Sequence, residues 1–285
     1  NWTMPAQDQP VKVAAVQANI DFELKWDKSR RDIVYDTYAN LTRQHWDSEI
    51  IVWPETAIPT FYKVAEQNFI PGFEAEVKDN DSEVLAGIFT FDEETELIFN
   101  SMVSLGGERQ FYHKKHLVPF GEYLPFRWLL EIFQKFVNIP MSDLSSGPGD
   151  YIVELRGIPV GVSICYEAAF GEEIIQSFPQ AQLLVNVSND AWFGDSLAPH
   201  QHLQIARVRS LESGRYMIRA TNTGISALID HKGNIISRSG QFVKDVVTGT
   251  VVPMQGSTPF IIWGNWVVIN ISFILLLVIY FRANS

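Results

Sequence analysis

From Val246 to Phe281 the chain carries no charged side chain, and within that stretch Phe260 to Phe281 (FIIWGNWVVINISFILLLVIYF) runs for 22 mostly apolar residues. At about 1.5 Å per residue such a helix is roughly 33 Å long, enough to cross the hydrocarbon core of a bilayer. Trp263 and Trp266 lie near one end and Tyr280 near the other, where an aromatic belt would sit. Asn265, Asn270 and Ser272 would also suit a buried core helix, but length and belt favour a membrane span over residues 260–281. Arg282 just beyond it favours a cytoplasmic C-terminus, with the rest of the chain on the opposite side.

The remaining sequence is that of a folded α/β protein. Its formal net charge of −11 and pI near 5.0 argue against nucleic acid as a partner, because a groove that follows phosphates needs a basic face. A single cysteine, Cys165, excludes an intramolecular disulfide framework and any multi-cysteine zinc cluster. That thiol is either a small buried hydrophobe or a reactive group. The chain begins at Asn1 without an initiator methionine or a signal-peptide pattern, which is expected of a fragment or a processed product.

Residues 1–10 are polar, contain two prolines and read as a linker. Val11–Ile20, Ile50–Trp53, Glu83–Phe91, Leu97–Leu105, Gln110–Tyr112, Ile158–Cys165, Leu183–Val187, Tyr216–Ile229 and Asn234–Arg238 read as strands. Asp27–Trp46, Glu172–Phe178 and Pro199–Ser213 have helical spacing. This alternation predicts an α/β sandwich over residues 11–255, with no interior linker long enough to divide it. Several strands run into polar residues: Pro54-Glu55, Cys165-Tyr166-Glu167 and Ser188-Asn189-Asp190. Ligand crevices in open α/β sheets lie beyond the carboxyl ends of strands, so these ends would deliver Glu55, Cys165 and Asn189 to one cleft.

The chemistry open to these residues is acyl transfer. A thiolate attacks carbonyl carbon well, but an ordinary thiol is only a few per cent ionised at neutral pH and needs a base or a positive field. Glu55 can accept the proton. A lysine, Lys114 or its neighbour Lys115, can stabilise the thiolate and the oxyanion that follows. Residue types alone leave open a structural Cys165 with Glu55 and Lys114 as surface charges.

Glu55 in Trp53-Pro54-Glu55, Lys114 in Tyr112-His113-Lys114 and Cys165 in Ile164-Cys165-Tyr166-Glu167 resemble the Glu–Lys–Cys triad of the nitrilase (carbon–nitrogen hydrolase) superfamily. Within it the chain is most similar to the apolipoprotein N-acyltransferase family. That similarity is carried by His116-Leu117-Val118-Pro119-Phe120-Gly121-Glu122-Tyr123-Leu124-Pro125, by Cys165-Tyr166-Glu167 and by Ser188-Asn189-Asp190-Ala191-Trp192-Phe193-Gly194. The resemblance implies a nitrilase-type α-β-β-α sandwich followed by one transmembrane helix. It implies Glu55 as general base, Lys114 as oxyanion-stabilising cation, Cys165 as nucleophile and Glu122 as a second essential glutamate. Lys114 is preferred to Lys115 because the family pattern is Tyr-x-Lys. Trp26, Tyr166, Glu167 and Trp192 resemble residues that shape or support the site.

The implied reaction needs no cofactor and no metal. Cys165 takes an acyl chain from a phospholipid donor as a thioester, and the α-amine of a diacylglyceryl apolipoprotein then attacks it. The implied location is the bacterial inner membrane, with the catalytic domain on the periplasmic side. Rival readings are a hydrolase in which water resolves the thioester, and an inactive scaffold that binds lipoproteins.

Two aromatic-rich segments, Ile58–Phe73 and Phe120–Met141, are expected to be loops flanking the cleft as lids for acyl chains, the second partly as an amphipathic helix at the membrane surface. Packing in the core is the plainer alternative. His113-x-x-His116 and His200-x-His202 lack the i, i+4 spacing of a helical zinc pair, and Arg207, Arg209, Arg215 and Arg219 read as salt-bridging structure.

Overall fold

The computed structural model describes residues 2–125 and 144–283. Two sheets form the centre. One has the strand order 235–238, 227–229, 217–221, 183–188, 158–164, 152–155; the other runs 245–251, 11–17, 50–52, 83–92, 97–105, 111–113, with 58–61 paired to the edge of 83–92. Both are mixed: Val11–Gln17 pairs parallel with Ile50–Val52 but antiparallel with Asp245–Val251.

The sequence explains the layering. In Val11–Gln17 successive side chains point to opposite faces, and both faces are apolar. Val13 and Ala15 join Val160, Val162, Ile164, Val185 and Ile218 in a core between the sheets. Ala14 and Val16 point the other way, towards Val34, Tyr38, Trp53, Ile70 and Phe73 beneath the helices of that side. A third cluster packs Leu203 and Ala206 of helix Ala198–Ser213 against Leu184, Met217 and Ile229. The result is a helix–sheet–sheet–helix arrangement, as the resemblance implies.

Several elements differ from the sequence reading. Tyr216–Ile229 is two antiparallel strands, Met217–Thr221 and Ala227–Ile229, joined by a turn containing Gly224. Ile58–Phe73 is no loop: it forms strand Ile58–Phe61, helix Tyr62–Asn68 and the start of helix Ile70–Asp79, with Ile58, Ile70 and Phe73 buried. Phe73 and Phe69 pack inward, stacking with Tyr35 beside Trp53, whereas Phe61 stays exposed beside Phe89. Asp27–Trp46 is a short 3-10 turn at Lys28–Arg30 followed by helix Arg31–Arg43. Residues 1–10 contribute a short strand, Thr3–Pro5, paired with Met254–Gly256. Most of the second aromatic segment, residues 126–141, lies outside the described residues.

The C-terminal helix is shorter than the apolar run. Pro259–Trp263 forms one turn, Gly264 breaks it at φ +53°, and Trp266–Ala283 continues as an 18-residue helix of mean hydropathy 2.1 whose described side chains are exposed. At about 1.5 Å per residue it is roughly 27 Å long. The break is specific. The Asn265 N–H donates to the Glu172 carboxylate at 2.7 Å, and a Cβ on residue 264 would stand 2.6 Å from a Glu172 oxygen. The C-terminal apolar helix is therefore tied to helix Gly171–Ile174, which directly follows the turn bearing Cys165.

Candidate active site

Glu55 and Cys165 each end a strand and open a tight turn. Ile50–Val52 leads through Trp53-Pro54 into Glu55, and Thr56 has a positive φ of 49°. Strand 83–92 passes directly beneath, where a Cβ on Gly87 would come within 2.3 Å of the Pro54 carbonyl, so only glycine fits. Ile158–Ile164 leads into Cys165, itself at φ +54° at the start of a 3-10 turn. A non-glycine residue in this region is strained by about 1–3 kcal/mol and persists only where its surroundings hold it.

The two carboxylates and the lysine are connected. Lys114 Nζ, 1% exposed, donates to Glu122 Oε1 at 2.8 Å and lies 3.7 Å from Glu55 Oε1. Asn100 Nδ2 donates to Glu55 Oε1 at 2.7 Å and to Glu122 Oε1 at 3.3 Å. The Asn189 N–H donates to Glu55 Oε2 at 2.9 Å, so both oxygens of Glu55 are held. Glu122 Oε2 accepts from the Val118 N–H at 2.8 Å, fixing the loop after the lysine. Burial alone would lower the Lys114 ammonium, but Glu55, Cys165 and Glu122 outweigh it and hold its pKa above the ordinary value. Lys114 is thus a fixed cation. Lys115 points elsewhere, its ammonium bonded to the Pro148 and Gly149 carbonyls.

Cys165 belongs electrostatically to the same group. Burial and the Glu55 carboxylate push its thiol up to about 12, opposed by Lys114 and by a hydrogen bond with Ser188. At about 1.4 kcal/mol per pH unit, forming the free anion at neutral pH would cost about 7 kcal/mol. Such a thiol reacts when its proton leaves during attack, which calls for a carboxylate base alongside and a cation to meet the developing charge.

The other expected residues divide into rim and support. Glu167 is buried and does not face the cleft: it accepts from the Lys115 N–H at 2.6 Å, the His116 N–H at 3.1 Å, the Ile164 N–H at 2.6 Å and the Tyr112 hydroxyl at 2.8 Å. It ties the lysine loop to the cysteine turn. Trp26, Tyr166 and Trp192 are exposed, Trp192 by 77%. Phe22 bridges Trp192 (5.3 Å between centroids) and Trp26 (6.3 Å), and Trp26 continues to Phe89. Tyr166 meets Phe170, on which His116 stacks. The described rim is aromatic.

Two further residues join the site that sequence reasoning missed. Lys25, 2% exposed, donates from Nζ to the Glu55 main-chain carbonyl at 3.1 Å; burial lowers it to about 7 despite attraction from Glu55. Its only local signal is a lysine beside Trp26. His202 contacts the Cys165 carbonyl oxygen through Nε2 at 3.0 Å. Among the described residues no group of His, Cys, Asp and Glu has the arrangement of a metal site.

Comparison with known proteins places the chain in a family. Residues 12–258 match the carbon–nitrogen hydrolase family. Curated relatives include apolipoprotein N-acyltransferases of Methylococcus capsulatus (42% identical over 271 residues, 95% of this chain and 54% of the relative) and Nitrosomonas europaea (41% over 283 residues, 97% and 56%). The chain spans about half the length of these relatives. Among solved structures, a Saccharomyces cerevisiae nitrilase-superfamily protein superposes with a TM-score of 0.64 at 17% identity, over 86% of this chain and 91% of that one. A Helicobacter pylori carbon–nitrogen hydrolase gives 0.63 at 14%, over 85% and 88%. At those identities the likeness speaks for the fold alone. With the family match spanning both sheets and their strand-end turns, the chain belongs to the carbon–nitrogen hydrolase family.

Proposed function

We propose that this chain carries the catalytic site of a membrane-anchored apolipoprotein N-acyltransferase, in which Cys165 is the nucleophile, Glu55 the general base, Lys114 the oxyanion-stabilising cation and Glu122 the carboxylate that holds Lys114. The observation that carries the reading is Lys114 held by the carboxylates of Glu55 and Glu122, with Cys165 in electrostatic contact with Glu55 and Lys114, in a chain whose C-terminal apolar helix is tied to the helix that follows the cysteine turn. Relatives bearing the apolipoprotein N-acyltransferase name at about 40% identity support the choice of substrates.

In the first half-reaction Glu55 accepts the thiol proton as sulfur attacks an acyl ester of a phospholipid. Lys114 faces the tetrahedral oxyanion, and Glu55 returns the proton to the departing lysophospholipid alkoxide, leaving a thioester on Cys165. In the second, the α-amine of a diacylglyceryl-cysteine attacks that thioester. Glu55 takes a proton from the amine and passes it to the departing thiolate, restoring Cys165. Both substrates are anchored in a bilayer, so a site tied to a membrane helix and rimmed by Trp26, Tyr166 and Trp192 meets them where they lie. The reading puts the protein in the bacterial inner membrane, with the site on the periplasmic side and the C-terminus cytoplasmic.

The test is which nucleophile resolves the intermediate. The full chain is acylated with a labelled phosphatidylethanolamine, then given a diacylglyceryl lipopeptide with a free α-amine or the same peptide N-acetylated. Transfer of label to the free amine alone is expected. Release to water at the same rate with either peptide would make the protein a hydrolase.

A further inference from the structure

Beneath Cys165 lies a buried polar chain that the reaction above does not use. His202, on helix Ala198–Ser213, reaches the Cys165 main-chain carbonyl with Nε2 at 3.0 Å and Asp190 Oδ1 with Nδ1 at 3.1 Å. The same Asp190 oxygen accepts from the Ser188 hydroxyl at 2.6 Å, and its other oxygen accepts from Arg219 Nη2 at 3.1 Å. Arg219 is fully buried and also bonds Asn186. Burial works to raise the Asp190 carboxyl, yet His202, Arg219 and Ser188 hold it down to about 2. Asp190 is therefore a carboxylate with an acceptor role towards every partner.

That fixes what His202 does. A peptide carbonyl and a carboxylate both accept hydrogen bonds and neither donates, so the ring satisfies both contacts when each nitrogen carries a proton. Among the described residues the charged groups joined to it are Asp190, opposite, and Arg219 on the far side of Asp190. Its carbonyl partner belongs to the residue at φ +54°, whose strained turn needs an external hold.

Resting on the reading of Cys165 as nucleophile, we propose that His202 is a positioning residue: bridging Asp190 and the Cys165 carbonyl, it pins the strained turn so that the thiol stays near Glu55 and Lys114. Freed from this hold, the turn relaxes towards ordinary backbone angles and carries sulfur away from its base. Thiol chemistry that needs no base geometry is spared.

The experiment compares the full chain in detergent with His202→Phe, which removes both contacts, and His202→Gln, which keeps one N–H donor for the carbonyl. The acyl donor is p-nitrophenyl butyrate, whose burst reports acylation without any lipid requirement, and iodoacetamide labelling of Cys165 at pH 10, where hydroxide takes the proton in place of Glu55, reports thiol access. We expect the His202→Phe burst rate constant to fall about 100-fold at saturating ester, the order seen for small misplacements of a reacting group. Half-saturation should stay within about twofold, labelling should stay within about threefold, and His202→Gln should recover about tenfold of the loss. A His202→Phe burst within threefold of the unaltered chain overturns the proposal. So does a parallel fall of burst and labelling in both variants, which marks a packing role. Absence of a burst in the unaltered chain overturns it together with the nucleophile assignment. A normal burst without transfer from phospholipid strikes only at the substrate reading.

Discussion

Replacing Lys25 by methionine should stabilise the protein at acid pH while harming the site. The structure supplies the magnitude. Lys25 falls from 10.5 to about 7, with burial the leading cause. At about 1.4 kcal/mol per pH unit, keeping its ammonium in the fold costs about 5 kcal/mol below pH 7. The unfolded chain binds this proton more tightly, so stability rises with pH between about 7 and 10.5 and the penalty is complete below that window. Methionine keeps most of the apolar stem and abolishes the penalty. It leaves the Glu55 carbonyl without its donor, a loss of about 1–3 kcal/mol. Lys25→Met should therefore be more stable than the unaltered chain by about 2–4 kcal/mol at pH 6 and nearly equal at pH 9. Urea unfolding of the full chain in detergent, followed by tryptophan fluorescence, measures the difference at both pH values. A gap that stays constant from pH 6 to 9 would refute the reasoning, because no lysine with a depressed pKa would then be present. Acylation should slow about tenfold in the same variant, since the turn bearing Glu55 loses its tether.

Other substitutions probe neighbouring parts of the account. Gly87→Ala should destabilise the domain by about 1–3 kcal/mol and suppress acylation, because its Cβ would press on the Pro54 carbonyl at 2.3 Å; unchanged thermal unfolding would show that the Glu55 turn is not held from below. Glu122→Gln removes a charge that keeps Lys114 in place, so the acylation rate constant should drop about 100-fold with half-saturation little altered, checked by single-turnover kinetics. Glu172→Ala frees the start of the C-terminal apolar helix from the domain. Activity on vesicle-borne phospholipid should fall more than activity on p-nitrophenyl butyrate, and equal losses would count against the helix as a positioning element.

What was readable in the sequence follows from the range of the forces involved. Strands such as Glu83–Asp92 and Leu97–Leu105 were visible because a short, largely apolar run buried on both faces is a local property. The strand-end polar residues pointed to a cleft for the same reason. Lys25 and His202 were not visible, because each matters through a main-chain carbonyl far away in sequence, Glu55 in one case and Cys165 in the other. A lone lysine or histidine in a polar stretch reads as solvent-exposed or as a possible metal ligand until the fold brings an acceptor to it. The break at Gly264 was hidden by an unbroken run of apolar residues, since hydropathy does not register the Glu172 carboxylate that meets the helix end. Residues 58–73 divide: they form regular elements rather than a loop, Ile70 and Phe73 fill the space under Trp53, and Phe61 stays exposed beside Phe89, which Trp26 also meets.

The central claim is that the sulfur of Cys165 carries a fatty chain between two lipids. Peptide-mapped mass spectrometry of the full chain, incubated with a phosphatidylethanolamine of defined acyl composition, tests it directly. The account predicts one added acyl mass on the peptide containing Cys165, removable by neutral hydroxylamine and absent from Cys165→Ala. An unmodified Cys165 peptide, or an adduct that persists in Cys165→Ala, would contradict it.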